Sequence, residues 1–252
     1  MFSKNDIKNI KSLEKKKFRD ENHLFVVEGH KLTEELLGIF KCVLLAATKE
    51  WIETHKNIPA ERVETITHDE LKRASLLRSP QDVIAVFRIP DYAANIHTLV
   101  SRNLVLVLDG IQDPGNIGTI ARIADWFGIK DIFCSPDCAD IYAPKAIQAT
   151  MGAIARVRFH YIDLPATLRS LPEGTAIYGT FLDGENIYRH NLAENGVIIM
   201  GNEGNGISPL VSNIVTERLF IPDWPGNRPT SESLNVAAAT AIICAEFRRR
   251  SQ

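Results

Sequence analysis

The feature that most constrains the fold of this sequence is an unbroken apolar run, LVLVL at residues 104–108, followed by a short polar loop and a strongly periodic segment. A run without alternating polar residues is typical of a strand buried on both faces, as in a parallel sheet covered by helices. In the segment after it, Ile117, Ile120 and Ala121 recur at helical spacing. Gly128 stands where a helix C-cap belongs. These features predict the first strand and helix of a parallel α/β sheet.

The rest of the C-terminal half continues this alternation of strands and helices. Further strands are predicted at 132–135, 156–161, 176–180 and 197–200, with helical stretches between them and a closing helix at 234–249. The predicted fold class is therefore α/β, with a parallel sheet flanked by helices. In such a sheet, ligands bind beyond the carboxyl ends of the strands, so the loops there are where a functional site is expected.

The N-terminal part predicts a second, smaller α/β domain. Its strands are expected at 24–27, 42–46, 62–66 and 83–87, and its helices near 5–17, 30–38, 50–55 and 68–76. Eleven lysines precede residue 100 and only two follow it, a change in composition that also favours two domains. The weakly periodic stretch 88–102 is the best linker candidate. We predict domains at 1–95 and 101–252.

Composition excludes several classes of protein. No apolar run approaches the ~18 residues of a membrane span, and the polar N-terminus is unlike a signal peptide, so a cytoplasmic location is expected. The sequence has seven histidines without a metal-binding spacing, and its four cysteines, of which only Cys134 and Cys138 are close, do not complete a zinc site. We therefore expect no metal and reduced, mostly buried thiols.

Charge is distributed unevenly along the chain, although the formal net charge is only −2. Residues 4–19 contain seven basic and two acidic side chains, and the basic ones include Lys15, Lys16, Lys17 and Arg19. Such a segment fits a phosphate-facing patch on a nucleic-acid-binding surface. It equally fits the solvated face of an amphipathic helix, and the residues alone leave both interpretations open.

Three unusual loops follow predicted strands. The first, 109–118, carries Asn116 and leads to Arg122; the second, 201–206, has three glycines and Glu203; the third begins at Ile221-Pro222 and ends at Ser233-Leu234-Asn235. None matches the GxGxxG or GxxxxGK[ST] fingerprint. Their backbone amides could nevertheless hold a nucleotide-like cofactor. Glu203 is either a functional group of such a site or a carboxylate that caps a turn. Arg122 is either a functional residue within reach of the strand-end loops or a solvent-facing residue of a helix.

These three loops, in this order, resemble the three motifs of the SpoU/TrmH family of RNA ribose 2′-O-methyltransferases, within the SPOUT superfamily. The matching segments are DPGNIGTIARIADWFG, IIMGNEGNGIS, and Ile221-Pro222 followed by SLNVAAATAI. The N-terminal part, with FVVEGHKLTEELL at 25–37, is similar to the family's substrate-binding domain, which is related to ribosomal L30e proteins. The resemblance covers nearly the whole chain.

The resemblance implies transfer of a methyl group from S-adenosyl-L-methionine to a ribose 2′-hydroxyl of RNA. It further implies a homodimer formed through the C-terminal domain, which carries a trefoil knot, and an rRNA substrate in preference to a tRNA. By motif position, the cofactor contacts are Gly201, Ile221, Leu234 and Thr180, and the active-site residues are Asn116, Arg122, Glu203, Ser233 and Asn235. Lys15, Lys16, Lys17 and Arg19 are the expected RNA contacts.

For the chemistry, we expect Arg122 to anchor a phosphate and to stabilise the developing alkoxide, with Glu203 orienting it, because a guanidinium is hard to deprotonate. Action of Arg122 as the base that takes the 2′-hydroxyl proton is the alternative. The third loop is longer than is usual in the family, and its extra Trp224 and Arg228 could contact RNA or simply elaborate the loop. The alternative functions are a tRNA enzyme, a catalytically inactive RNA-binding protein of the same fold, and an NAD oxidoreductase, for which the glycine fingerprint is missing.

Overall fold

The computed structural model describes residues 2–93, 95–224 and 233–249. Its helices are α1 (Lys4–Ser12), α2 (Lys16–Asn22), α3 (His30–Leu36), α4 (Lys49–Thr54), α5 (His68–Ala74), α6 (Ile96–Val100), α7 (Pro114–Trp126), α8 (Pro144–Thr150), α9 (Leu164–Arg169), α10 (Pro209–Ser212) and α11 (Val236–Arg249). Its strands are β1 (Leu24–Glu28), β2 (Cys42–Ala47), β3 (Val63–Thr65), β4 (Val83–Arg88), β5 (Leu104–Asp109), β6 (Asp131–Cys134), β7 (Arg158–Tyr161), β8 (Ile177–Asn186), β9 (Gly196–Gly201) and β10 (Glu217–Phe220).

The chain forms two compact units that interleave along the sequence. The first consists of residues 1–91 together with 140–155, and the second of 92–139 together with 156–252. The segment 140–155 carries α8, which packs on β1. There the side-chain amide of Gln148 donates to the carbonyl oxygen of Glu28 at 2.8 Å. The first unit thus includes a stretch of chain that lies within the predicted 101–252 range.

The first unit is built on a four-stranded sheet in the order β1-β4-β2-β3, with β4 antiparallel to both of its neighbours. Its apolar core joins one face of this sheet to α1 and α5. Three of the four strands, β1, β2 and β4, are largely buried, and β4 is buried along VIAVF, the run that the sequence predicts as a strand.

The basic N-terminal segment differs from the prediction, because α1 ends at Ser12 and α2 begins at Lys16 instead of one helix continuing to residue 17. The guanidinium of Arg19, a residue of α2, lies at this break, where its Nη1 donates to the carbonyl oxygens of Leu13 and Glu14 at 2.7 and 2.8 Å. Its Nε and Nη2 pair with the Asp140 carboxylate at 2.8 and 2.6 Å. Arg19 is only 2% exposed. The expectation that Arg19 contacts RNA is therefore wrong, because these internal partners use its guanidinium.

The second unit confirms the predicted parallel α/β sheet flanked by helices. Six strands lie in the order β10-β8-β9-β5-β6-β7, and all the pairings are parallel. The LVLVL strand β5 lies inside the sheet and is buried along its whole length. Helix α7 follows it, begins at an Asp113 side chain that accepts from the backbone N–H of Asn116 at 2.9 Å, and packs against α11.

Two parts of the second unit were not predicted. Strand β8 continues to Asn186, beyond its predicted end at residue 180, and pairs with β10, a four-residue edge strand of which only Leu219 is buried. The predicted linker 88–102 contains α6, which starts where the Asn95 side chain accepts from the backbone N–H of His97 at 3.0 Å. Short elements with one or two buried residues leave little periodicity in a sequence.

No helix among residues 2–93, 95–224 and 233–249 is long and apolar enough to cross a membrane. The same ranges hold no group of three or more His, Cys, Asp or Glu side chains arranged around a metal position. The four cysteines, Cys42, Cys134, Cys138 and Cys244, are free and buried.

Candidate active site

A cleft of about 440 Å³ opens in the second unit, beyond the carboxyl ends of β9 and β10 and beside the middle of β8. Its walls include all four predicted cofactor contacts, Thr180, Gly201, Ile221 and Leu234. Much of the remaining lining is apolar and comprises Phe181, Leu182, Met200, Ile207, Leu219, Phe220, Val236, Ala239 and Ile243. An apolar cleft of this volume with a few polar groups is the usual form of a small-molecule site.

The glycine loop after β9 folds back on itself along one wall of the cleft. Asn202 and Gly206 exchange two backbone hydrogen bonds, each of 2.9 Å. The side-chain oxygen of Asn202 accepts from the backbone N–H groups of Gly204 and Asn205 at 2.9 and 3.1 Å. A Cβ added at Gly201 would lie 2.3 Å from the backbone of Gly206 and Ile207. The turn therefore requires glycine at position 201 and leaves the backbone uncovered beside the cleft.

Buried polar groups tie this loop to the neighbouring strand ends. The Asn202 side-chain amide donates to the Gly110 carbonyl oxygen at 2.7 Å, and the Gly110 N–H donates to the Ser135 hydroxyl at 2.9 Å. The Asp109 carboxylate, only 7% exposed, accepts from the Ser208 N–H at 2.7 Å. Sequence analysis did not single out Asn202 or Asp109. The signal available was their position, since each begins or precedes a polar loop at the end of a buried strand.

Three of the predicted active-site residues form one hydrogen-bonded network at the cleft. The Asn116 side-chain amide donates to the Glu203 carboxylate at 2.5 Å. The Asn235 amide donates in turn to the side-chain oxygen of Asn116 at 3.0 Å. The side-chain oxygen of Asn235 accepts from the backbone N–H of Ala237 at 3.0 Å, in the first turn of α11. The network thus joins the first turn of α7 and the residue before α11 to the glycine loop.

The other two predicted active-site residues lie outside this network. Ser233 lines the cleft and is exposed. Arg122 is an exposed residue of α7, six positions beyond Asn116. Among residues 2–93, 95–224 and 233–249, no hydrogen bond or ion pair joins Arg122 to Glu203, whose carboxylate is bonded to Asn116. The expected pairing of Glu203 with Arg122 is therefore not present in the structure.

The remaining predicted RNA contacts that the structure describes are exposed. Lys15, Lys16 and Lys17 are exposed residues of the first unit, and Lys17 pairs with Glu21 at 3.8 Å. Trp224, three residues beyond Ile221, is 98% exposed. Arg228 lies outside the residues that the structure describes.

The geometry of the cleft suits a nucleotide-like cofactor. The glycine loop lets such a ligand approach the backbone closely, and the apolar walls can cover a planar ring. A parallel sheet with a cleft of this kind at its carboxyl edge defines an α/β enzyme of the cofactor-binding class.

Comparisons with known proteins identify the family. Residues 103–245 match the model of the SpoU rRNA Methylase family, and residues 4–85 match that of the MRM3-like substrate binding domain. The first match covers more than half of the chain. The chain belongs to the SpoU rRNA methylase family.

Individual relatives agree with this assignment over the full length of the chain. The 23S rRNA (guanosine(2553)-2′-O)-methyltransferase RlmP of Bacillus subtilis (strain 168) is 30% identical over 260 residues, covering 96% of this chain and 95% of RlmP. A solved structure assigned to the TrmH family of RNA methyltransferases, from Porphyromonas gingivalis, has a TM-score of 0.89 at 41% identity and covers 99% of each chain. The AdoMet-bound rRNA methyltransferase of Sinorhizobium meliloti has a TM-score of 0.84 at 25% identity and covers 100% of this chain and 98% of its own.

The predicted family, fold class and activity are confirmed by these comparisons. The chain is an RNA 2′-O-methyltransferase, and S-adenosyl-L-methionine is its methyl donor. The predicted roles of individual residues, the knot and the homodimer stay predictions.

Proposed function

We propose that this enzyme methylates the ribose 2′-hydroxyl of one nucleotide in 23S rRNA, in the cytoplasm. The observation that carries the choice of RNA is the similarity to a 23S rRNA enzyme along both halves of the chain, including the N-terminal part. A tRNA substrate is the second candidate, and the measurement at the end of the Discussion separates the two.

The two sequence domains have different functions, RNA binding and methyl transfer. Residues 1–95 form the RNA substrate-binding domain and residues 101–252 the methyltransferase domain, an assignment supported by the family models at 4–85 and 103–245. Exposed Lys15, Lys16 and Lys17 contribute phosphate contacts in the first domain.

The cleft of the second unit holds the cofactor. Gly201, Ile221, Leu234 and Thr180 contact it, a proposal supported by their common position around the cleft. When bound, S-adenosyl-L-methionine supplies a methyl group on a sulfonium, which is already a good electrophile. The main tasks left to the protein are therefore to align the ribose oxygen and to help it lose its proton.

The polar network positions the groups that act on the ribose. Asn116, held by Glu203 and Asn235, presents a fixed amide at the edge of the cleft. Arg122, with its guanidinium free of protein partners among the described residues, anchors a substrate phosphate and stabilises negative charge as it develops on the 2′-oxygen. Ser233 adds a hydroxyl at the cleft wall.

The role of Arg122 is tested by replacing it with alanine. We expect R122A to keep its affinity for S-adenosyl-L-methionine, measured by titration calorimetry, while turnover falls on the order of 10²-fold, because the lost charge acts on the transition state. R169A, which removes an exposed arginine at the end of α9, is the matched control and should keep full turnover. Equal loss of cofactor affinity and turnover in R122A would contradict the role.

Two further features follow from family membership. We propose that the segments at Gly201, Ile221 and Leu234, which meet at one cleft although they are distant in sequence, belong to a trefoil knot. We also propose a homodimer formed through the C-terminal domain, supported by the exposed indole of Trp126 at the end of α7, which is 85% accessible.

A further inference from the structure

The first unit contains a cavity of about 460 Å³ that the proposed function does not use. Its floor is apolar and consists of side chains from β1, β2 and β4, namely Leu24, Val43, Leu44 and Val86. Its walls are formed by helix α1, by the end of α2, and by Glu61 and Arg62 just before β3. The volume is within the range of pockets that bind small planar ligands.

The walls present amide groups with unused hydrogen-bonding capacity. Asn9 is exposed, and its side-chain amide has no partner among the described residues. Asn22 uses its Nδ2 to donate to the Phe18 carbonyl oxygen at 2.8 Å, so its own side-chain oxygen can still accept. Asp6, by contrast, is occupied by Arg62 at 2.5 Å. A primary amide offers both a donor and an acceptor, which matches the edge of a nucleobase.

A stripe of cations runs along α1 beside this cavity. Lys4, Lys8 and Lys11 stand at positions i, i+4 and i+7, so they share one face of the helix. All three are exposed and make no ion pair within the described part of the chain. Lys8 lies one helical turn before Ser12, a residue of the cavity wall, so these two side chains are neighbours on the surface of α1. Phosphate groups would therefore meet positive charge next to the cavity.

We propose that the cavity receives one unpaired base of the RNA substrate, while Lys8, and beyond it Lys4 and Lys11 on the same face of α1, contact phosphates of the strand that leads away from that base. Proteins recognise single-stranded RNA by placing the face of a base against apolar or aromatic side chains and bonding its edge, and this cavity offers an apolar floor and amide walls. The proposal rests on the RNA substrate of the proposed function and adds the place where a second nucleotide, distinct from the methylated one, is bound.

The test measures binding of the full chain to RNA of known form. Fluorescence anisotropy would compare single-stranded decamers of A, C, G and U with a ten-base-pair RNA duplex. We expect N9L to weaken binding of at least one decamer about tenfold, the effect of losing base-edge hydrogen bonds, without changing duplex binding. N5L alters another exposed asparagine of α1 that does not line the cavity, and it should bind like the wild type.

The phosphate contacts give an independent readout. In K8A/K11A the slope of log affinity against log salt should become shallower by about 1.4, because each single-strand phosphate contact contributes about 0.7. N9L should keep the wild-type slope. K49A, which removes a lysine paired with Glu53 on α4, is the charge-matched control.

Several outcomes would overturn the proposal. These are N9L behaving like N5L, equal weakening of duplex and single strand, absence of binding to all four decamers, and equally tight binding of a glutamate-rich decapeptide. Cofactor affinity and methyl transfer to rRNA, measured on the same preparations, separate this failure from that of the proposed function. If the wild type methylates rRNA and N9L matches N5L, only the base site is refuted.

Discussion

Asn116 is the residue on which the geometry of the active site depends most directly, because it bonds Glu203 on one side and Asn235 on the other. We predict that N116D lowers turnover about tenfold or more at neutral pH. The new carboxylate would face that of Glu203, and two adjacent carboxylates repel each other unless they share a proton.

This repulsion has a signature in the pH profile. Activity of N116D relative to the wild type should recover partly as the pH is lowered, when one proton bridges the two carboxylates. N116A, which removes the amide without adding charge, should lose turnover with the same relative loss at every pH. A pH-independent defect in N116D, with a normal circular dichroism spectrum, would show that Glu203 and residue 116 do not interact.

Glu28 lets the stability of the first unit depend on pH. Burial raises the pKa of Glu28, and this outweighs the opposing hydrogen bonds from the Ser75 hydroxyl and the Leu76 N–H. A folded-state pKa above the unfolded one means that the stabilisation from the protonated form is complete below the unfolded value and is lost as pH rises through the folded value. We predict that the stability of E28Q, measured by thermal unfolding, does not fall in this way as the pH rises.

The S75A variant provides a second test of the Glu28 prediction. S75A removes a hydrogen bond that lowers the pKa of Glu28, so its stability should fall more steeply with rising pH than that of the wild type. If the difference in thermal stability between E28Q and the wild type is the same at acid and at neutral pH, the Glu28 carboxyl does not titrate as the structure indicates.

Residue-level prediction from sequence named residues that the structure brings together, although their contacts with the cofactor stay predictions. Gly201, Ile221 and Leu234 line one cleft because all of them stand at the same edge of a parallel sheet. It failed for Arg19, whose partner Asp140 lies 121 positions away. Local charge density indicates a surface, whereas only tertiary packing reveals that one of the cations is buried.

At the scale of the element, the glycine loop at 201–206 offers a direct test of its own geometry. We predict that G201A loses most of its affinity for S-adenosyl-L-methionine, because an added Cβ would lie 2.3 Å from the backbone on the opposite side of the turn. Titration calorimetry measures the loss.

Gly204 provides the matched control within the same loop. A Cβ there meets no atom closer than 3.5 Å, the side-chain oxygen of Asn202. G204A should therefore bind the cofactor nearly as well as the wild type. If both variants bind normally, the loop either opens without cost or does not contact the cofactor.

Element prediction depended on how much of each element is buried. The continuous apolar run of β5 made both its existence and its environment clear, and the periodicity of α7 made the following helix clear. The edge strand β10 and the five-residue helix α6 were missed. The break between α1 and α2 was missed as well, since lysines occupy both helices and the loop without changing the pattern.

At the scale of the whole molecule, the proposed homodimer can be tested through Trp126. An indole that is 85% exposed on one protomer is a natural contact for a partner. We predict that W126E shifts the mass found by light scattering after size exclusion from a dimer towards a monomer. R169A, which removes an exposed arginine at the end of α9, should leave the mass unchanged. A monomeric wild type would refute the homodimer.

The arrangement of the chain into units could not be read from the sequence. Residues 140–155 pack with the first unit although the strands on both sides of them, β6 and β7, are neighbours in the sheet of the second. Composition and periodicity describe each segment's own burial but not the sheet that it covers. Predicted ranges that are continuous in sequence therefore do not reveal that residues 140–155 pack with the first unit.

The most direct test of the central claim is transfer of labelled methyl groups from S-adenosyl-L-methionine to 23S rRNA and to tRNA. Each RNA would be purified from a host that lacks this gene, and the products would be hydrolysed to nucleosides for mass spectrometry. We expect one 2′-O-methylnucleoside in the 23S rRNA pool and none in the tRNA pool. A labelled product in tRNA alone would contradict the proposed substrate, and no product in either RNA, or a base-methylated one, would contradict the proposed reaction.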